Sequence, residues 1–202
     1  MLHLGCGSGC LDYHLKNFFQ ITGVDLNKEM IDSAFRRNPE CTYICSDMKE
    51  FVSDVKYDVV LIPDSIDYLK TKNDIKKTYE NAFNNLKENG LLFVIIGYDP
   101  NYFSHNRTTV DIVIKDNIEV TFIENNYDPD TSDNEFEAIF VFIIRANRQT
   151  KVVVDKHNVG LFPREVWVNE MVKSGFDVKK VISKILEKTE QKGTYTICGI
   201  KQ

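Results

Sequence analysis

"HLGCGSGC", residues 3–10, sets glycines at 5, 7 and 9 directly after an apolar start and ahead of a helical pattern. Glycine reaches backbone conformations closed to other residues, and with no Cβ it lets a second segment or a ligand come close. Beyond the turn, Leu11, Leu15, Phe18 and Phe19 recur at helical spacing, and "QITGVD", residues 20–25, is a short apolar strand ending on Asp25. Strand, glycine turn, helix, strand is the opening unit of a parallel α/β sheet.

The alternation continues. Asn27 caps a helix carrying Met30, Ile31, Ala34 and Phe35, which Asn38 and Pro39 stop; "CTYICSD" (41–47) is then a third strand. "YDVVLIPD" (57–64), apolar almost throughout, suits a strand covered on both faces. A helix from about Asn73 puts Ile75, Tyr79, Ala82, Phe83 and Leu86 on one face, with Gly90 as its left-handed cap, and "LLFVIIGY" (91–98) is the fifth strand. From 104 to 160 the chain becomes β-rich and helix-poor: "TTVDIVI", "NIEVTFI", "EAIFVFIIRA" and "KVVVDKHNV" are separated by polar turns. Pro163 then starts a helix through Val166, Trp167, Met171 and Val172, Gly175 ends it, and "FDVKKVI" and "TYTICGI" close the chain. The expected fold is α/β: a doubly wound, mostly parallel sheet from residues 1–103 and 161–202, with an antiparallel β insertion after the fifth strand at 104–160.

Composition narrows the function classes. The chain has 202 residues, 43% hydrophobic, enough for one full core, and its formal net charge of -5 argues against a surface that neutralises many phosphates, so nucleic acid is not an expected partner. The five cysteines, at 6, 10, 41, 45 and 198, lack the paired spacing of a zinc site, no metal is expected, and they read as reduced cytosolic thiols. Apolar runs such as Leu91 to Ile96 are far below the roughly 20 residues that span a bilayer. A soluble, cytoplasmic protein with no membrane partner is expected.

What can the turn hold? The helix after it offers free N–H groups and a partial positive charge, and an acid about 20 residues on, as Asp25 stands from Gly5, can accept hydrogen bonds from a ribose diol. A turn that only packs tightly is the alternative. Nicotinamide dinucleotides and S-adenosylmethionine both use this geometry. The dinucleotide fingerprint needs its third glycine where this chain has Cys10; here it comes one residue early, at Gly9.

On "LHLGCGSG", "GVDLNKEMIDSA", "CSDMKEF", "YDVVLIPDSIDYL", "LKENGLLFVII" and "MVKSGFDVKKV...TYTICGIK", in this order, the sequence resembles the class I S-adenosylmethionine-dependent methyltransferases over essentially its whole length. The resemblance implies a seven-stranded sheet with its last strand antiparallel. It places the cofactor's amino acid portion near Gly5, Cys6 and Gly7 within the Gly5-Gly7-Gly9 turn, its ribose on Asp25, and its adenine beside Leu26, Asp47 and Met48, although Met48 also suits ordinary core. "DKHNVGLFPREVWVNEMVKSGF" with "DSIDYLKT" is similar to small-molecule N-methyltransferases acting on amino groups of nucleotide-linked sugars. His3 departs from the family, which usually has an acid there. The family also carries helices ahead of the first strand, where this sequence opens, so an open site or a part of a longer chain is expected.

Methyl transfer from a sulfonium needs mainly a close, aligned nucleophile, and an amine needs a base for its proton. His157, at the junction of insertion and sheet, is the candidate base, with a backbone-bonded strand histidine as the alternative. Asp64, ending the fourth strand, is the candidate to orient the amine, with a turn role as the alternative. Tyr68 and Arg164 are candidates for the hydroxyl and the phosphate or carboxylate of a substrate. The expected activity is methyl transfer to a small molecule at an amine nitrogen, against an NAD-dependent oxidoreductase or a non-catalytic cofactor-binding module. The insertion is expected to wall the acceptor pocket and to offer a homodimer surface.

Overall fold

The computed structural model describes residues 1–183 and 193–202. Its first strand, β1 (Leu2–Leu4), is buried throughout and runs into the glycine turn. Helix α1 (Asp12–Leu15) follows, then β2 (Thr22–Asp25), α2 (Lys28–Arg37), β3 (Thr42–Cys45) and β4 (Tyr57–Pro63). A 3-10 turn at Ser65–Tyr68 leads to α3 (Lys72–Asn85) and β5 (Leu86–Ile96). The antiparallel strands β6 (Arg107–Lys115), β7 (Ile118–Tyr127), β8 (Glu135–Ala146) and β9 (Gln149–Gly160) come next, then α4 (Arg164–Lys173), β10 (Phe176–Ser183) and β11 (Tyr195–Lys201).

Seven strands form one sheet in the order β10-β11-β5-β4-β1-β2-β3, and the other four form a meander, β6-β7-β8-β9. Only β11 opposes its neighbours: it pairs antiparallel with both β5 and β10, while β1, β2, β3, β4 and β5 pair in parallel. The strand order reverses between β1 and β4, and a crevice opens at their carboxyl ends, where ligands of open α/β sheets sit. The core is the aliphatic run of these strands, Leu2, Leu4, Val60, Ile62, Leu92 and Val94, closed by Ile75 and Tyr79 of α3 and Trp167 and Met171 of α4.

Three expectations need correction. The helix after the glycine turn lasts only four residues, and Phe18 is 80% exposed, so its helical spacing does not mark a buried face. On α2 only Ile31 and Ala34 are buried, while Met30 and Phe35 face solvent. Gly90 does not cap α3; β5 begins at Leu86, and Asn89 takes the left-handed backbone at φ 62°. Gly90 is still required, because a Cβ there would lie 2.8 Å from the Lys87 carbonyl oxygen.

The four-stranded sheet is tied down at its base. Phe136, Ala138, Val159 and Leu161 form a small core with Tyr98, Phe103 and Phe140 packed against it. At Gly160 the end of β9 runs against the 3-10 turn so closely that a Cβ would be 2.3 Å from the Leu69 carbonyl oxygen. Far from this base, Asn147 and Arg148 join β8 to β9 with φ of 52° and 60°, the pair of positive values that a tight two-residue hairpin turn requires.

Candidate active site

The glycine turn is built in layers. Gly5, Gly7 and Gly9 all have positive φ, of 73°, 53° and 70°. Each glycine answers to a different constraint. A Cβ on Gly5 would fall 2.1 Å from Ser65 Oγ, so the turn lies directly against the 3-10 turn that follows β4. A Cβ on Gly9 would meet Asn38 Nδ2 at 2.8 Å, the Tyr43 hydroxyl at 2.9 Å and Ala34 at 3.1 Å, which makes Gly9 a packing position against α2 and β3. Around Gly7 such an atom would meet nothing within 4 Å; this backbone borders open space.

Asp25 holds the turn from the tip of β2. Its Oδ2 accepts the Gly7 N–H at 2.8 Å and its Oδ1 the Asn27 N–H at 2.9 Å. A carboxylate has about four lone-pair sites, so two acceptor positions remain for a ligand. Gly5, Asp25, Leu26, Asp47, Met48, Ser65 and Tyr68 line one cleft of about 340 Å³. Leu26 stands 73% exposed on it, an apolar side chain that a ring could cover. Cys6 is buried, and desolvation first, then the charges of Asp12 and Asp25, push its thiol well above its usual range, so it is inert at neutral pH.

Beneath the turn lies an arrangement that sequence reading did not find. His3 Nδ1 is 2.6 Å from Asp12 Oδ1, and both side chains are buried. The Tyr43 hydroxyl donates to the other Asp12 oxygen at 3.0 Å, and Asn38 Nδ2 donates to that hydroxyl and to the Gly9 carbonyl. His3 was flagged only as a departure from a family acid; its partner, nine residues on, gave no signal of its own.

A second cleft, of about 270 Å³, adjoins the first. Asp64, Asp67, Tyr68, Gly97, Tyr98, Phe140 and Val159 line it, so Tyr68 borders both clefts and the four-stranded sheet contributes Phe140 and Val159. Asp64 sits at φ 49° where the chain leaves β4, and desolvation raises its carboxyl although the side chain still reaches solvent. Asp67 is buried, and its Oδ2 accepts the Gly97 N–H at 2.8 Å. Sequence reading missed it; an acid three residues after Asp64, in a one-turn segment, was the available signal.

His157 is not bonded to backbone as a plain strand histidine would be. Its Nδ1 is 3.1 Å from the Tyr68 hydroxyl, its Nε2 is 3.1 Å from Asp155 Oδ2, and its ring lies 4.8 Å from that of Phe140. It touches the second cleft through Tyr68 and Phe140 and does not itself line it. Arg164 lines neither cleft. It stacks on Tyr195, 4.7 Å from the ring centre, and faces the buried Asp99 at 3.7 Å.

Residues 1–90 match the family described as "Methyltransferase domain". A dTDP-3-amino-3,4,6-trideoxy-alpha-D-glucopyranose N,N-dimethyltransferase of Streptomyces venezuelae is 28% identical over 118 residues, 57% of this chain and 50% of its own. The chain spans 40% to 61% of the length of the curated relatives it matches. Among solved structures, Streptomyces venezuelae DesVI superposes with a TM-score of 0.87 at 21% identity, covering 100% of this chain and 83% of that one. CalS10, an amino pentose methyltransferase from Micromonospora echinaspora solved with S-adenosylmethionine bound, gives 0.84 at 17% identity, covering 100% and 82%. Residues 1–90 thus resemble the methyltransferase-domain family, and the sheet they begin is completed by β5, β11 and β10 into the fold shared with these solved structures.

Proposed function

We propose that this chain is an S-adenosylmethionine-dependent methyltransferase acting on an amine nitrogen of a small molecule. The observation that carries this reading is the meeting of two clefts at Tyr68, one built on the glycine turn and Asp25, the other between β4 and the four-stranded sheet. The relatives named above as aminosugar and amino pentose methyltransferases support it.

The first cleft fits the cofactor. The Gly7 backbone faces open space, Asp25 keeps free acceptor sites for the ribose hydroxyls, and Leu26, Asp47 and Met48 offer apolar cover and one carboxylate for adenine, with Gly5 and Cys6 beside the amino acid portion. When bound, S-adenosylmethionine supplies an electrophilic methyl group on a positively charged sulfur. The protein's own part is to hold the acceptor in line, an effect able to lower a barrier by several kcal/mol. Asp64 orients the amine from the second cleft. His157 acts through Tyr68 as a positioning residue: Asp155 on one ring nitrogen fixes the imidazole, and the other nitrogen holds the hydroxyl that faces the acceptor. This departs from the expectation that His157 is itself the base.

The insertion, residues 104–160, walls the acceptor cleft with one face of its sheet. The opposite face carries Val110, Ile112, Val141, Ile143, Val152 and Val154, by their cross-strand register, and Val110, Ile112, Val152 and Val154 are exposed. A second copy of the chain covers it, giving a homodimer whose sheets stack. No helix among the described residues is long and apolar enough to cross a membrane.

Titration calorimetry with S-adenosylhomocysteine and with NAD tests the cofactor. Binding of S-adenosylhomocysteine alone is expected, and binding of NAD alone would replace this reading with the oxidoreductase one. Methylated product from a nucleotide-linked aminosugar separates an enzyme from a module that only binds the cofactor.

A further inference from the structure

The residues that line the second cleft include two carboxyl groups and no basic side chain. Asp64 stands at the carboxyl end of β4 at a positive φ of 49°, a strained conformation for a non-glycine residue that is concentrated at functional sites. Asp67 is 3% exposed. One of its oxygens is satisfied by the Gly97 N–H, and Gly97 can carry no side chain there, because a Cβ would lie 2.9 Å from that oxygen. The other oxygen, Oδ1, is buried with no hydrogen-bond partner. Leaving such a group unpaired is costly, and native interiors rarely do so without a reason.

The neighbours of Asp67 do not resolve the deficit. Asp64 is an acid, and the phenols of Tyr68, Tyr79, Tyr98 and Tyr195 are raised by burial first and, to a lesser extent, by the charge of Asp67 itself. The hydroxyls of Tyr79 and Tyr195 are likewise buried without partners. This wall of the cleft therefore combines an unpaired carboxyl oxygen, a second acid and aromatic rings, and lacks a cation. The matching ligand brings positive charge and N–H donors.

We propose that Asp67 selects the acceptor: its Oδ1 takes an N–H of a protonated aliphatic amine, beside Asp64, in the second cleft. The inference rests on reading that cleft as the acceptor site, and it narrows the acceptor to an ammonium-bearing molecule. Burial first, opposed by the Gly97 N–H and reinforced by the charge of Asp64, raises the Asp67 carboxyl well above its usual range, a cost that pairing with an ammonium offsets. The ammonium later gives up one N–H proton to solvent before its nitrogen can accept a methyl group.

The test uses the full chain loaded with S-adenosylhomocysteine and two matched probes, cyclohexylammonium and cyclohexanol, titrated by calorimetry at pH 7. Cyclohexylammonium is expected to bind about tenfold or more tighter than cyclohexanol. Asp67→Asn, which keeps an acceptor for Gly97, is expected to weaken cyclohexylammonium about tenfold or more while cyclohexanol and S-adenosylhomocysteine stay within about twofold. Equal cyclohexylammonium affinity in Asp67→Asn overturns the proposal. So does a cyclohexylammonium affinity in the unmodified protein no greater than that of cyclohexanol, a measurement that needs no variant to fold. A protein that binds S-adenosylhomocysteine but not cyclohexylammonium also overturns it and leaves the methyltransferase reading standing; failure to bind S-adenosylhomocysteine overturns that reading instead.

Discussion

His3 Nδ1 and Asp12 Oδ1 lie 2.6 Å apart with neither side chain open to solvent, joining β1 to the helix that follows the glycine turn. Through Tyr43 and Asn38 this pair extends to the Gly9 carbonyl, so the turn is held from below by a polar chain linking β1, α1, β3 and the end of α2. Replacing His3 by leucine removes one of the two hydrogen-bond partners of the buried Asp12 side chain, which costs about 1–3 kcal/mol. Urea unfolding should show that loss, and Asp12→Leu in the same chain should recover much of it. A His3→Leu protein as stable as the parent would mean that the pair does not anchor the turn.

The glycines separate binding from folding. Gly7→Val is expected to abolish S-adenosylhomocysteine binding, since its side chain enters the open space of the turn and resists positive φ, while the protein remains folded. Gly9→Ala is expected to lower the melting temperature, because its Cβ collides with Asn38, Tyr43 and Ala34. Asp25→Ala should weaken the ligand about tenfold or more through loss of a charged acceptor. Calorimetry alongside thermal melts reads all three, and normal affinity in Gly7→Val would make the turn purely structural.

These positions also show what the sequence reveals. Glycines at 5, 7 and 9 and an acid at 25 mark the turn because local backbone geometry and one short strand dictate them. The run 104–160 reads as an antiparallel sheet because its apolar residues alternate. Long-range pairing left no comparable trace: Tyr68 and His157 are 89 positions apart, and only the passage of β9 across the 3-10 turn brings them together. Phe18 follows helical spacing but is exposed, since periodicity records a chain's pattern and not whether another element covers it. Asn89 could take the left-handed position expected of Gly90 because asparagine tolerates that backbone.

His157→Ala should lower turnover several-fold while S-adenosylhomocysteine affinity stays unchanged, the behaviour of a group acting on the acceptor side. Tyr68→Phe should show the same split, and the double variant should be no worse than the worse single one. Additive losses would show that the two residues act separately.

The Asp67 carboxyl titrates higher in the folded chain than in the unfolded one, so its effect on stability has a definite sign. Below about pH 4 both states hold the proton and it has no effect; as pH rises the unfolded chain ionises first and the folded state loses ground until its own pKa is passed. The stability of Asp67→Asn relative to the parent is therefore expected to grow as pH rises above about 4. Urea unfolding along a pH series measures it, and a difference independent of pH would show that the fold does not raise the Asp67 carboxyl.

Val154→Asp or Ile112→Lys places a charge on the outer face of the four-stranded sheet, the face opposite the cleft-lining Phe140 and Val159 in the register of the strands. Light scattering should find dimers for the parent and monomers for either variant, with ligand affinity retained. A monomeric parent would remove the second copy as the occupant of that face.

The position of β11 between β5 and β10 has a consequence for how the molecule is made. A chain leaving the ribosome has emitted every residue of the first cleft by Leu69, but the second lacks its far wall until Val159 has emerged. Even then one edge of β5 stays bare, and the buried places of Tyr195 and Ile197 stay empty, until Tyr195–Lys201 slides in against the growing order of the sheet. The two clefts thus mature at different moments of synthesis, and the sheet that supports both is closed by the strand that arrives after all the others.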